Sequence, residues 1–141
     1  MPIFRTASED DTIALGERLA RTLPRHAVVL LIGNLGAGKT TFAKGIVKGL
    51  GAATPEEVSS PTFTLIHEYG SPAAIYHVDL YRLDTAQEVA TLGLDELFDR
   101  EAIVLIEWGE RFPELMPADR IEIRMHALDG DRRRIEIGSP S

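Results

Sequence analysis

The chain has 141 residues, a net charge of −7 and no cysteine. That length is one domain's worth, and an apolar share of 44% is ample for one core. The charge argues against generic binding to nucleic acid, which favours basic surfaces. The absence of cysteine excludes disulfides, thiolate metal sites and a cysteine nucleophile.

Met1 to Asp11 is polar and acidic and lacks the apolar stretch of a secretion signal. The longest apolar run, Ala27 to Ile32, is too short to span a bilayer, so a soluble, cytoplasmic protein is expected. Ile3 and Phe4 can start a short strand. Ser8 is placed to cap a helix over Glu9 to Leu23, with Asp11 at the capping-box position and Pro24 as the stop. Ala27 to Ile32 reads as a strand buried on both faces, as in a parallel sheet covered by helices. A glycine-rich turn leads into a helix from Lys39 to Leu50, closed by Gly51. Ala52 to Pro61 is loop-like. Thr62 to Tyr69 and Ala74 to Asp79 form an antiparallel hairpin across Gly70-Ser71-Pro72, so the sheet is mixed. Thr85 to Leu92 is a helix capped by Asp84, and Leu94 to Phe98 is another helical turn. Ala102 to Glu107 is a second buried strand. Ile121 to His126 alternates apolar and polar residues, turns at Asp129-Gly130, and pairs with Arg134 to Ile137. No repeat or composition shift marks a boundary, so residues 1–141 are expected to be one domain.

Gly33-Asn34-Leu35-Gly36-Ala37-Gly38-Lys39-Thr40 fits the phosphate-loop pattern of glycine, four residues, glycine, lysine, then serine or threonine. The glycines let the backbone approach phosphate oxygens, and successive amides form an anion nest. The helix beginning near Lys39 adds its positive end. The Lys39 ammonium reaches the β- and γ-phosphates, and the Thr40 hydroxyl ligates magnesium. A random chain of this length matches the pattern about once in 200 times. Here the match also lies between a buried strand and a helix, where the mechanism needs it. ATP with magnesium is the expected ligand.

Such a loop needs a carboxylate on the metal side, usually at the end of a neighbouring apolar strand. Glu107 ends AIVLIE and Asp79 ends AAIYHVD, and ligands gather at the carboxyl ends of open α/β strands. Glu107 is assigned to magnesium, directly or through water, and Asp79 to a water; composition leaves that division open. His77 lies on the same strand face as Asp79, but a packed or hydrogen-bonded histidine is the simpler reading. His26, His67 and His126 show no ligand pairing. Trp108 suits a core or partner surface better than a nucleotide stack. Arg132 to Arg134 reads as a solvated strand surface, with one arginine available to a base or partner, and Arg82 is a weaker phosphate candidate. The only asparagine is Asn34, and no Asp-x-x-Gly occurs, so a guanine reader and switch are lacking. The only glutamine, Gln87, lies in a predicted helix, which implies slow hydrolysis by the chain alone. A metabolite kinase and a nucleotide-dependent binding module are the rival readings; the arginine-rich lid expected of the kinase is not evident.

Four segments together resemble the TsaE (YjeE) family: GNLGAGKTTFAKG at Gly33 to Gly45, SSPTFTL at Ser59 to Leu65, HVDLYRL at His77 to Leu83, and IEWGE at Ile106 to Glu110. Gly93-Leu94 with Glu96-Leu97 also fits, and the match spans nearly the whole chain. The resemblance implies an α/β fold, a P-loop NTPase αβα sandwich with a mixed sheet and antiparallel hairpin additions. It implies a magnesium-dependent ATPase, weak alone, that assists the TsaB and TsaD proteins in threonylcarbamoyl modification of adenosine 37 in tRNA, with the tRNA held through the partners. It carries over catalytic roles for Lys39, Asp79 and Glu107, and metal contacts for Thr40 and Glu107. Nucleotide contacts fall on Thr12, on the loop from Asn34 through Leu35, Gly36, Ala37, Gly38, Lys39 and Thr40 to Thr41, and on Arg134. Ser60, Pro61, Thr62 and Phe63 match a switch loop near the γ-phosphate.

Overall fold

A computed structural model describes residues 2–61, 65–70 and 75–138. Seven strands form one mixed sheet in the order β1-β7-β6-β2-β5-β4-β3. They are β1 (Ile3–Thr6), β2 (Ala27–Ile32), β3 (Ile66–Tyr69), β4 (Ile75–Asp79), β5 (Ile103–Glu107), β6 (Ile121–Ala127) and β7 (Arg133–Gly138). The central four, β6, β2, β5 and β4, run parallel. β3 joins one side antiparallel, and β7 followed by β1 extends the other. The parallel strands are the most apolar because both of their faces are covered. Leu31 and Asp79 both pair with Glu107 across β5, so the carboxyl ends of β2, β5 and β4 lie level. That edge is where the expected site residues meet.

Side chains alternate between two cores. Val29, Leu31, Ile75, Ile103, Leu105, Ile123 and Ile135 face the layer of α1 (Glu9–Ala20) and α2 (Lys39–Gly49). Val28, Leu30, Val78, Val104 and Ile106 face α3 (Ala86–Ala90) and α4 (Leu94–Phe98). The result is the expected αβα sandwich with antiparallel additions. α1 and α2 approach closely because glycines line their seam. A Cβ on Gly16 would come within 2.5 Å of the Phe42 carbonyl, and one on Gly49 within 2.7 Å of the Glu17 carbonyl.

Several boundaries differ from expectation. α1 stops at Ala20, ahead of Pro24. Its last turn tightens: Thr22 and Leu23 amides bond to the Leu19 and Ala20 carbonyls, and the Thr22 hydroxyl takes Leu19 O as well at 2.7 Å. Ser8 caps α1 as expected, while the Asp11 carboxylate accepts from the Ala7 amide in place of the cap's own. The cap of α3 is Thr85 rather than Asp84. Thr85 Oγ1 accepts from the Glu88 amide and the Glu88 carboxylate accepts from the Thr85 amide, a reciprocal pair that a hydroxyl completes. α2 follows expectation, with Gly51 at φ 69° beyond its end. The β3–β4 hairpin forms, with its predicted turn at Ser71-Pro72 outside the described residues. Among the described residues no helix is long and apolar enough to cross a membrane.

Candidate nucleotide site

β2 runs out at Ile32 and the chain turns through Gly33–Gly38 into α2. Gly38 sits at φ 99°, a left-handed conformation open to glycine, and a Cβ on Gly33 would meet the Met125 carbonyl at 2.7 Å. No side chain caps the N-terminus of α2, so its first amides have no side-chain acceptor. That is the arrangement an anion completes. The loop is braced from β7, which β6 separates from β2 in the sheet. Arg133, at the start of β7, donates from Nε to Ala37 O at 3.0 Å and from Nη2 to Gly36 O at 3.1 Å. Its Nη1 holds the carbonyls of Gly130 and Arg132 in the β6–β7 turn.

A cleft of about 490 Å³ opens beside the loop, with Lys39, Thr40, Thr41, Ser60, Asp79 and Glu107 in its walls. Lys39 Nζ donates to Gly33 O at 2.7 Å and lies 3.7 Å from the centre of the Trp108 ring. Burial lowers the Lys39 pKa from its ordinary value, against the opposing pull of Glu107, Glu110 and Asp79. Trp108 takes φ 67°, turning the chain sharply after Glu107, and its indole tilts against Tyr81 with ring centres 5.2 Å apart. Asp79 Oδ1 accepts from the Tyr81 amide at 2.8 Å, and Oδ2 accepts from the Ser60 hydroxyl at 3.2 Å. Glu107 Oε2 meets His77 Nε2 at 2.6 Å, both side chains buried. Glu110 lines a neighbouring cleft of about 390 Å³ with Asn34 and Ala37; burial raises its pKa, with Lys39, Arg124 and Arg111 acting against the rise. Thr40 and Glu107 offer the hard oxygen donors that magnesium prefers. No group of three or more His, Asp or Glu that could hold a metal forms among the described residues.

The model of the TsaE family, threonylcarbamoyl adenosine biosynthesis protein TsaE, matches residues 6–135. The chain belongs to the TsaE family. A Bacillus subtilis tRNA threonylcarbamoyladenosine biosynthesis protein TsaE is 39% identical over 133 residues, covering 94% of this chain and 82% of the relative. A protein of the same name from Nostoc is 43% identical over 136 residues, covering 93% and 82%. The crystal structure of Bacillus subtilis YdiB superposes with a TM-score of 0.75 at 34% identity, covering 95% of this chain and 82% of that one. The fold is that of a P-loop NTPase.

Within this TsaE chain the sheet brings Lys39, Thr40, Asp79, Glu107 and Ser60 to one cleft, and Leu35, Gly36, Gly38 and Thr41 line it with them. Asn34 and Ala37 line the adjoining cleft. Pro61 is buried and its carbonyl accepts from the Leu65 amide. Thr62 and Phe63 lie outside the described residues. Two expected contacts are not brought in. Thr12 is buried, with its hydroxyl engaged by Thr6 Oγ1 at 2.8 Å and Ser8 O at 3.2 Å; Glu9 supplies the cleft wall from α1. Arg134 faces away from the loop and pairs with Glu136 at 3.6 Å, while Arg133 holds the loop. Sequence reasoning read Arg133 as solvated surface, since its partners lie 96 and 97 residues away. It read His77 as a packed or hydrogen-bonded histidine, and the structure shows both, buried and bonded to Glu107; it did not weigh Glu110 or Tyr81.

Proposed function

We propose that this chain binds ATP with magnesium and hydrolyses it slowly, in the service of threonylcarbamoyladenosine formation in tRNA. The carrying observation is the convergence of Lys39, Thr40, Asp79 and Glu107 on one cleft beneath the uncapped end of α2. The loop amides and the helix end bind the phosphates, and Lys39 neutralises the β- and γ-oxygens after leaving Gly33 O. Thr40 and Glu107 would hold magnesium. The ion would offset charge developing between the β- and γ-phosphates. Asp79 accepts a hydrogen bond from the attacking water, and its link to Ser60 ties the adjacent loop to the state of the γ-phosphate. Water attacks the γ-phosphorus, the bond to the β-bridging oxygen breaks, and ADP and phosphate leave.

The described lining of the cleft contains no arginine and no glutamine to steady the transferring group. That supports weak turnover alone and completion by partners. TsaB and TsaD fill that role in this reading, with TsaD transferring the threonylcarbamoyl group to adenosine 37 and this chain resetting the complex. The acidic charge of −7 agrees with tRNA being held through the partners. The test is magnesium-dependent phosphate release, with and without TsaB and TsaD of the same organism, using Lys39→Ala as the blank. Slow release that rises with the partners supports the reading. Release that ignores them, or phosphate passed to a small acceptor, overturns it.

A further inference from the structure

We infer that His77 is a positioning residue for Glu107: its Nε2–H fixes one carboxylate oxygen, so that Glu107 offers the other to the magnesium-bound nucleotide. This rests on the function proposed above and adds a residue to its machinery.

The contact is built by register. β4 and β5 run parallel, with Asp79 opposite Glu107 and His77 opposite Leu105. Ile75 faces α2, so His77 and Asp79, two and four positions on, face it too. Glu107 shares that side, two residues after Leu105. The imidazole is 0% exposed and the carboxylate residue 4%. At 2.6 Å the Nε2···Oε2 contact is a short hydrogen bond in a dry setting. The other ring nitrogen, Nδ1, is buried with no hydrogen-bond partner among the described residues. A proton on Nε2 meets the carboxylate acceptor, which makes that nitrogen the donor of the contact. A histidine that served packing alone would bring two polar nitrogens into the core for no return. Among the described residues this one bears that cost at Nδ1 and directs one hydrogen bond to the carboxylate assigned to the metal side.

The consequence is geometric. A carboxylate at a strand end can rotate and bind an ion through either oxygen or through both. With Oε2 committed to His77, rotation is arrested and Oε1 is the oxygen left outside that bond. Binding through one oxygen, directly or through water, suits the strict octahedron and retained waters of magnesium. Partners that orient a ligand in this way typically contribute about 10–100-fold to metal affinity or activity.

Two substitutions of similar polarity separate the hydrogen bond from the packing. The amide nitrogen of His77→Gln reaches the place of Nε2, whereas that of His77→Asn stops at the place of Nδ1. ADP affinity is measured by calorimetry in magnesium and in EDTA, and the ratio gives the contribution of the metal without any turnover. The expected result is an unchanged affinity in EDTA for both variants. His77→Gln keeps the ratio within about threefold, and His77→Asn loses about tenfold or more of it. The magnesium midpoint of ATP turnover should rise in step for His77→Asn only. A ratio unmoved in folded His77→Asn, or lowered equally in both, overturns the inference while leaving the ATPase intact. If neither variant folds, the Nε2–H proton resonance of His77 in the natural protein decides. It should shift when magnesium joins the ADP complex, and a resonance that stays put overturns the inference. A natural protein that binds no ADP under either condition instead removes the proposed function, and this inference with it.

Discussion

Lys39 shows how one residue sets both affinity and its pH range. Burial penalises its ammonium, so its pKa is lowered from 10.5. Phosphate binding needs the charged form. Nucleotide affinity is therefore expected to decline on the alkaline side below pH 10.5, and Lys39→Arg should flatten that decline; affinity titrations from pH 7 upward check it. Lys39→Ala should weaken ATP binding about tenfold or more at neutral pH, equivalent to about 1.4 kcal/mol or more. Glu110 has the opposite sign. Its pKa is raised from 4.5 by burial, so the folded state bears a cost while the group is ionised, above the raised value. That cost fades as pH falls and is gone below 4.5. Glu110→Gln is expected to raise the melting temperature near neutrality, with the gain vanishing toward pH 4; matched melts across that range decide. Residues of this kind were unequally legible. Lys39 and Thr40 belong to a contiguous motif whose chemistry is local. His77 and Arg133 act on partners 30 and 96 residues away, and their side chains carry no local mark of that.

At the scale of elements, the seam between α1 and α2 and the brace from β7 are the features that hold the loop. Gly16→Ala would press a methyl group against the Phe42 carbonyl, 2.5 Å from the new carbon, in the helix that carries Lys39. A loss of about 1–3 kcal/mol is expected from denaturant unfolding, with nucleotide affinity reduced as α2 shifts. Arg133→Ala removes two hydrogen bonds to loop carbonyls without touching the cleft wall. It is expected to weaken nucleotide binding several-fold while leaving the fold intact, which calorimetry beside circular dichroism can separate. Hydropathy periods located the α-helices and the strands, because each buries a stripe or a face. They missed the single 3-10 turns at Pro55–Glu57, Gly109–Arg111 and Pro113–Leu115, the first of which lies in the stretch expected to be loop. They did not fix the ends. The tightened last turn of α1 and the hydroxyl cap of α3 are settled by hydrogen bonds that compete within a residue or two. The glycine seam was invisible for a related reason: a glycine in a helix becomes a packing device only once its neighbour is known.

For the molecule as a whole, the order of strands does the positioning. Parallel β2, β5 and β4 end level, and that gathers residues from three sequence segments, the loop after β2, Asp79 and Glu107. The mixed sheet and its hairpins followed from short connections and alternation, whereas the placement of β2 between β6 and β5 did not, since nothing local ranks parallel neighbours. The charge of −7 carries its own expectation. Alone, the chain should bind tRNA weakly at physiological salt, and fluorescence anisotropy that gave tight binding without partners would overturn the view that tRNA is reached through them.

His77, Asp79 and Glu107 share one side of two adjacent strands, and that places a rule of phase on the gene. Exchanging side chains in β4 alters the chemistry one group at a time. Inserting or deleting one codon within Ile75–Asp79 would rotate the downstream residues by half a pleat. Histidine and aspartate would turn into the apolar layer over α3 and α4, and Val78 would turn toward the phosphates. Length variation in descendants of this sequence should therefore concentrate in the connections, while these two strands accept substitutions and keep their count.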